Sequence, residues 1–185
     1  DAQIAKHRRE AQEILSKLLS KQQKLEKMKV EIWASHEFNQ AKELAQQADV
    51  LYRQREFVQA QQAYLKVADA FDQIILLSKS KFDQVMVEGK AAIESLDTAN
   101  AIDKFDLATA LNPDSEDAAL GFRRAMSLEE VVGLVEEAEK MANQKNFVAA
   151  KDSLKQAFRL DQDSPYIKSK IDWLNTTIID HNFNN

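Results

Sequence analysis

Histidine, aspartate and glutamate are the residues with which this chain could hold a metal ion or move a proton, because it contains no cysteine. The three histidines, His7, His36 and His181, lie far apart in the sequence. None of them belongs to a His-x-x-x-His or Glu-x-x-His pattern, which would bring zinc ligands onto one face of a helix. The sequence therefore predicts no metal site and no cofactor.

Two acidic stretches resemble parts of functional sites. The segment Asp161-Gln-Asp163 begins like a calcium loop, but the third acidic residue, the glycine and the final glutamate are missing. The glutamates between positions 129 and 139 fall on water-facing positions of a predicted helix, whereas a catalytic carboxyl needs burial to raise its pKa. Phosphate-binding glycine loops and Gly-x-Ser-x-Gly elbows are also absent from the sequence. We predict that the chain is not an enzyme.

Composition favours a helical protein with short turns, because the 185 residues include three glycines and two prolines. Its content of 44% hydrophobic and 30% charged residues is typical of a folded chain. The longest purely apolar run, Ile74 to Leu77, is far shorter than the ~20 residues of a membrane span. The sequence begins at Asp1 without Met or a signal sequence, so we expect a processed protein or an excised segment.

Charge is unevenly distributed along the chain. Residues 1–31 contain eight Lys or Arg and five Asp or Glu, a balance of +3, which leaves −5 − 3 = −8 for the remainder. A basic arm can contact phosphate or a membrane surface. Glutamates interrupt this arm, however, which favours a solvated helix. The acidic remainder argues against general nucleic-acid binding, which depends on neutralising phosphates.

The first segment is predicted to be one long helix over residues 2–32. Its apolar residues form a short and imperfect heptad seam. The seam could lie along the rest of the chain or pair with a second copy as a coiled coil, and its shortness favours packing within the chain. The seam consists of Ile4, Ala11, Leu15, Leu18, Leu25 and Ile32.

Apolar spacing and turn residues predict eight further helices, at 37–54, 57–78, 80–95, 98–111, 115–126, 128–144, 147–161 and from 165 to about 180. Ser164-Pro165 has the residue types of a helix start, and Ser127-Leu-Glu-Glu130 has those of a capping box. The predicted organisation is a long helix over 1–34, a helical repeat domain over 35–180 and a frayed tail over 181–185.

A motif of small and large apolar residues recurs in three predicted helix pairs. Small residues let two antiparallel helices cross closely, and larger ones fill the space beside the crossing. The motif reads Ala48, Phe57, Ala60, Tyr64 and Val67 in the first pair; Gly89, Thr98, Ala101, Phe105 and Ala108, closed by Pro113, in the second; and Ala138, Phe147, Ala150, Leu154 and Ala157 in the third.

These pairs resemble the tetratricopeptide repeat over roughly residues 37–175. The central alanines Ala60, Ala101 and Ala150 are 41 and 49 residues apart, whereas the family repeats every 34 residues. The family's Trp and Leu positions in the first helix are also not met. The resemblance implies an all-α fold of antiparallel helix pairs in a right-handed array. The first pair also resembles the three-helix domains that bind the tails of trafficking complexes.

The resemblance also implies a function, because tetratricopeptide repeats bind partners in a concave groove lined by the first helix of each pair. The implied partner is a protein or peptide, since mixed charge with one aromatic residue suits an extended peptide better than a nucleic acid. Carried over by position, the groove residues are Lys42, Asp49, Tyr52, Arg53, Asp83, Met86, Lys90, Glu94, Val132, Glu139 and Asn143.

Three alternatives stay open from the sequence. The groove positions could simply be solvated, or the long first helix could fill the groove. The first helix could instead form a homodimer, so that the chain serves as a structural spacer. The chain could also be a regulatory domain of a larger bacterial protein, either membrane-anchored or enzymatic. A periplasmic fragment of an anchored protein is favoured over a cytoplasmic one.

Overall fold

The described part of the chain, residues 1–184 of this computed structural model, is all-α. These residues contain no strand, and no helix in them combines the length and apolar character that a membrane span requires. Asn185, the last residue of the predicted tail, lies outside the described residues. The helices are α1 (Ala2–Lys27), α2 (Val30–Trp33), α3 (Ser35–Arg53), α4 (Phe57–Glu94), α5 (Thr98–Leu111), α6 (Glu116–Asn143), α7 (Phe147–Leu160) and α8 (Pro165–Phe183).

The chain packs as two compact units. Unit 1 comprises Asp1–Gln84 and Ala110–Pro113, and among the described residues unit 2 comprises Val85–Thr109 and 114–184. The division falls inside α4, so α4 supplies residues to both units. Each unit has its own group of buried apolar side chains, and the candidate site described below lies within unit 1.

The core of unit 1 is formed by α1, α3 and the first part of α4. The middle of the heptad seam, at Ala11, Leu18 and Leu25, is almost fully buried, whereas Ile4 at its start is half exposed. Phe38 of α3 and Phe71 of α4 pack with their ring centroids 5.8 Å apart. The middle of the seam is therefore buried within unit 1.

The first helix is shorter than the sequence indicates. It ends at Lys27 because Lys29 adopts a left-handed conformation with φ 56°, and a separate turn of helix, α2, follows. The Trp33 indole donates a hydrogen bond of 2.9 Å to the carbonyl of Met28, which satisfies an acceptor at this helix end. The predicted continuation of one helix to residue 32 is wrong.

Helix α4 is one continuous helix, where the sequence predicted two, at 57–78 and 80–95. The serines at the predicted break do not interrupt it. The Ser78 hydroxyl donates to the Ile75 carbonyl at 2.6 Å, and the Ser80 hydroxyl donates to the Leu77 carbonyl at 3.0 Å. A serine whose hydroxyl bonds back to the preceding turn is compatible with a helix interior.

Helix α6 is likewise continuous, so the capping box predicted at Ser127 to Glu130 is wrong. The Ser127 hydroxyl donates to the carbonyls of Arg123 and Arg124, both at 3.2 Å, instead of accepting at a helix start. The predicted bounds of α5 are confirmed. At the start of α8, the Ser164 hydroxyl accepts from the Ile167 amide at 3.2 Å, as expected for an N-cap before proline.

One turn geometry recurs three times, between α3 and α4, between α4 and α5, and between α6 and α7. Its middle residue has φ between 61° and 66° and is Arg55, Leu96 or Lys145. In each case the next amide reaches back five residues, as in Glu56 N–H to the Leu51 carbonyl at 3.0 Å. The middle residues are separated by 41 and 49 residues, the same intervals as the central alanines.

Two glycines set the helix spacing around Phe105 in unit 2. A Cβ on Gly89 of α4 would lie 2.9 Å from Phe105 Cε2, and a Cβ on Gly121 of α6 would lie 2.1 Å from Phe105 Cε1. The Phe105 ring is almost fully buried, and opposite edges of it face the two glycines. The ring therefore cannot move away from one helix without approaching the other.

We predict that Gly121→Ala lowers the free energy of unfolding by about 1–3 kcal/mol, because it overpacks the space occupied by Phe105. Gly133→Ala in the same helix is the matched control, since no atom lies within 4 Å of a Cβ at that exposed position. The control should instead raise stability by about 0.5–1 kcal/mol, the usual difference between Ala and Gly in a helix interior. Urea denaturation measures both, and equal effects of the two changes would refute the packing argument.

Candidate partner-binding cleft

A cleft of about 660 Å³ lies in unit 1, between the first half of α1 and the turn that joins α3 to α4. One wall is a stripe on α1 with helical spacing. The other comes from the end of α3, the turn and the start of α4. The lining residues are Asp1, Ile4, Ala5, Arg8, Arg9, Gln12, Tyr52, Arg53, Arg55 and Phe57.

Polar contacts hold α1 beside the other two helices of unit 1. The Gln12 amide donates to the Tyr52 hydroxyl at 2.9 Å, across the cleft from α1 to α3. The Gln61 amide of α4 donates to the His7 carbonyl at 2.8 Å. Further along α1, the Lys21 ammonium lies 2.6 Å from the Asp72 carboxylate. These contacts and the buried seam fix the position of the α1 wall.

The cleft is basic although the chain as a whole carries a net charge of −5. Four arginines line it, Arg8, Arg9, Arg53 and Arg55, against one acidic side chain, Asp1. All four arginines are exposed, and none of them forms an ion pair or side-chain hydrogen bond with another residue in 1–184. Their guanidinium groups are therefore available to a ligand.

Aromatic side chains provide the apolar part of the cleft. Tyr52 and Phe57 meet edge to face with their centroids 5.2 Å apart, which is a favourable arrangement for two rings. Phe57 is 7% exposed, whereas Tyr52 is only partly buried. A smaller depression of about 280 Å³ adjoins the cleft and shares Ile4, Arg55 and Phe57 with it.

The groove residues expected in unit 1 differ in their surroundings. Tyr52 and Arg53 line the cleft. Lys42 lies 3.7 Å from the Glu31 carboxylate and sits over the Phe38 ring, and the Asp49 carboxylate accepts a 2.6 Å hydrogen bond from the Tyr64 hydroxyl. Asp83 is exposed on α4, away from the residues that line the cleft.

The groove residues expected in unit 2 do not share one pocket among those found there. Met86 is 8% exposed and belongs to the interior. Lys90 and Glu94 are exposed on the last turns of α4, and Asn143 is exposed at the end of α6. Val132 is partly buried on α6. Glu139 forms an ion pair with Lys170 of α8, and hydrogen bonding to this carboxylate raises the pKa of Lys170.

Sequence reasoning missed several residues of the cleft. Arg8 and Arg9 belong to the basic arm, which was interpreted as a solvated helix. Arg55 lies between two predicted helices, at 37–54 and 57–78, and Gln12 carried no signal of its own. The uneven charge of residues 1–31 was the one available indication, but it did not show that this arm lies next to Arg53.

Other surfaces offer less to a ligand. The two hollows found between α7 and α8 measure about 230 and 180 Å³ and share Lys155 and Ile171. Within residues 1–184, no group of three or more His, Cys, Asp or Glu side chains is arranged to hold a metal ion. The cleft of unit 1 is therefore the larger and more polar candidate.

Comparison with protein-family models, with curated proteins and with solved structures found no match for this chain. The geometry of the two units and the chemistry of their surfaces are therefore the basis for assigning a function.

The contact between Tyr64 and Asp49 predicts a pH effect on stability. Burial, followed by the hydrogen bond to Asp49, raises the pKa of Tyr64 above its ordinary value of 10.0. As the pH rises, the Tyr64 hydroxyl loses its proton at a lower pH in the unfolded chain than in the folded chain. The contribution of this hydroxyl to the free energy of unfolding is therefore complete below about pH 10 and is lost as the pH rises towards the pKa of the folded state.

We predict that Tyr64→Phe costs about 1 kcal/mol at neutral pH, through the lost hydrogen bond. The difference from the wild type should shrink above about pH 10, as followed by urea denaturation. Asp49→Asn should keep most of the wild-type pH dependence, because burial is the larger cause of the shift. A Tyr64→Phe difference that stays constant up to about pH 11 would contradict this assignment.

Proposed function

We propose that this chain is a non-catalytic protein-interaction module whose partner binds in the cleft of unit 1. The observation that carries the proposal is the combination of four unpaired arginines with the Tyr52 and Phe57 rings in one open cleft. Tyr and Arg are among the residues that contribute most to the affinity of protein interfaces. They do so where a pocket lets them be desolvated by a partner.

The architecture supports this proposal. Three helix–turn–helix connections, two of which share the continuous helix α4, have one turn geometry, at the intervals of the central alanines. Those alanines, Ala60, Ala101 and Ala150, are fully buried, as close helix crossings require. We propose on these grounds that the chain is a tetratricopeptide-like repeat protein, a class that usually holds partners. Tyr52 and Arg53 lie at the end of the first helix of the first pair.

The proposed binding site is narrower than the groove implied by the family resemblance. Lys42 and Asp49 would have to leave Glu31 and Tyr64 to reach a partner. Arg8, Arg9 and Gln12 of α1 take part instead, so α1 forms a wall of the site. We propose that α1 contributes to recognition and does not merely cover the groove.

The test is a pair of double variants in a pull-down from the source cells, quantified by mass spectrometry. Arg9→Ala with Arg53→Ala should weaken capture of at least one wild-type partner about tenfold or more, since truncating an interface arginine often costs over 1 kcal/mol. Lys155→Ala with Arg159→Ala is the matched control, because both side chains are exposed on α7. The control should retain every partner.

A photo-crosslinking side chain adds the location of the contact. Placed at Gln12 in the cleft wall, it should capture the same partner, whereas at Gln156 on α7 it should not. Capture that is unaffected by the arginine variant for every partner, with equal crosslinking at both positions, would overturn the proposed function.

A further inference from the structure

The charge balance of the cleft indicates the chemistry of its occupant. Four arginines and Asp1 give the lining residues a balance of +3, so the other residues carry −5 − 3 = −8. The lining residues therefore attract an anionic ligand, whereas the other residues taken together are acidic. Such a field favours a short anionic group over a long polyanion, which would extend onto the acidic surface.

The arginines occupy two walls and offer side chains alone. Arg8 and Arg9 lie on α1, and Arg53 and Arg55 lie at the α3–α4 turn. The amides of Arg55 and Glu56 already donate to the carbonyls of Tyr52 and Leu51, both at 3.0 Å. These arginines therefore reach a ligand through their guanidinium groups. A guanidinium pairs with the two oxygens of a carboxylate in a planar, bidentate arrangement.

The remaining lining residues select for an apolar group beside the charges. Ile4 is 48% exposed, and it lies with Tyr52 and Phe57 along the cleft. The volume of about 660 Å³ lies within the range of roughly 300–1,000 Å³ that is typical of ligand sites. An acidic peptide can place carboxylates and apolar side chains next to one another within the cleft. A nucleic acid supplies phosphates but no aliphatic side chain.

We propose that the occupant of the cleft is a short acidic segment of a partner protein, with several Asp or Glu side chains beside at least one apolar residue. The proposal rests on the proposed function and adds the class of partner. The carboxylates pair with Arg8 and Arg9 on one wall and with Arg53 and Arg55 on the other. The apolar residue lies against Ile4 and Tyr52.

Fluorescence anisotropy with the full chain tests this with three probes that carry a neutral dye. The first is the peptide Glu-Glu-Leu-Glu-Glu-Leu, the second is Gln-Gln-Leu-Gln-Gln-Leu, and the third is a short oligothymidylate of equal charge to the first. The acidic peptide should bind about tenfold or more tightly than the other two. Its affinity should fall as salt is added, because the arginines are exposed and screened.

Charge-reversal variants locate the binding. Arg9→Glu with Arg53→Glu should weaken the acidic peptide about tenfold or more. Lys155→Glu with Arg159→Glu makes the same change in net charge on α7 and should have an effect of about twofold or less. Circular dichroism and thermal unfolding confirm that each variant is folded, which is expected because all four side chains are exposed.

Three results would overturn the acidic occupant: equal binding of the glutamine peptide, tighter binding of oligothymidylate through Arg9 and Arg53, or equal weakening by the α7 variant. These failures are separable from failure of the proposed function. Partners that depend on Arg9 and Arg53 without any binding of the acidic peptide refute only the partner class. Binding of the acidic peptide without any cellular partner that depends on these arginines refutes the proposed function.

Discussion

Close approach between helices at small residues is the constraint on which both units depend. In unit 1, Ala48 of α3 and Ala60 of α4 are fully buried. Their small side chains allow these two helices to approach each other closely. In unit 2, the Phe105 ring fills the space that the missing side chains of Gly89 and Gly121 leave open. Large side chains at these positions would separate the helices and expose the rings between them.

The cleft follows from this packing. Once α3 and α4 are close, the seam of α1 can bury Leu18 and Leu25 against them. The register of α1 against α3 and α4 then decides which of its side chains lie in the cleft. The residues of α1 that precede the buried seam lie beside the α3–α4 turn, and there they bring Arg8 and Arg9 to Arg53 and Arg55. Apolar burial thus gathers like charges that would otherwise repel one another, and it leaves them without intramolecular partners among the described residues.

The sequence contained enough information for the helical class and for several helix ends, because proline and capping residues act locally. Ser164 and Pro165 are examples. The sequence predicted helix breaks wrongly where a serine can either cap a helix or bond back within it. Ser78 and Ser127 are such residues, and their hydroxyls bond within the helix. The cleft could be predicted only in part, at Tyr52 and Arg53. Its other wall lies 40 or more residues away in the sequence, and local patterns do not report which segments become neighbours.

The left-handed residues of the repeated turns lower the stability of the chain. The consequence of replacing them with glycine differs between Arg55 and Lys145. A residue other than glycine in the left-handed conformation costs roughly 1–2 kcal/mol, and Arg55 and Lys145 both adopt it. At Lys145, which is exposed, glycine would simply recover thermal stability. At Arg55 the same replacement would remove a guanidinium from the cleft. Selection for heat resistance could therefore act freely at Lys145, whereas at Arg55 it would oppose the partner recognition that we propose.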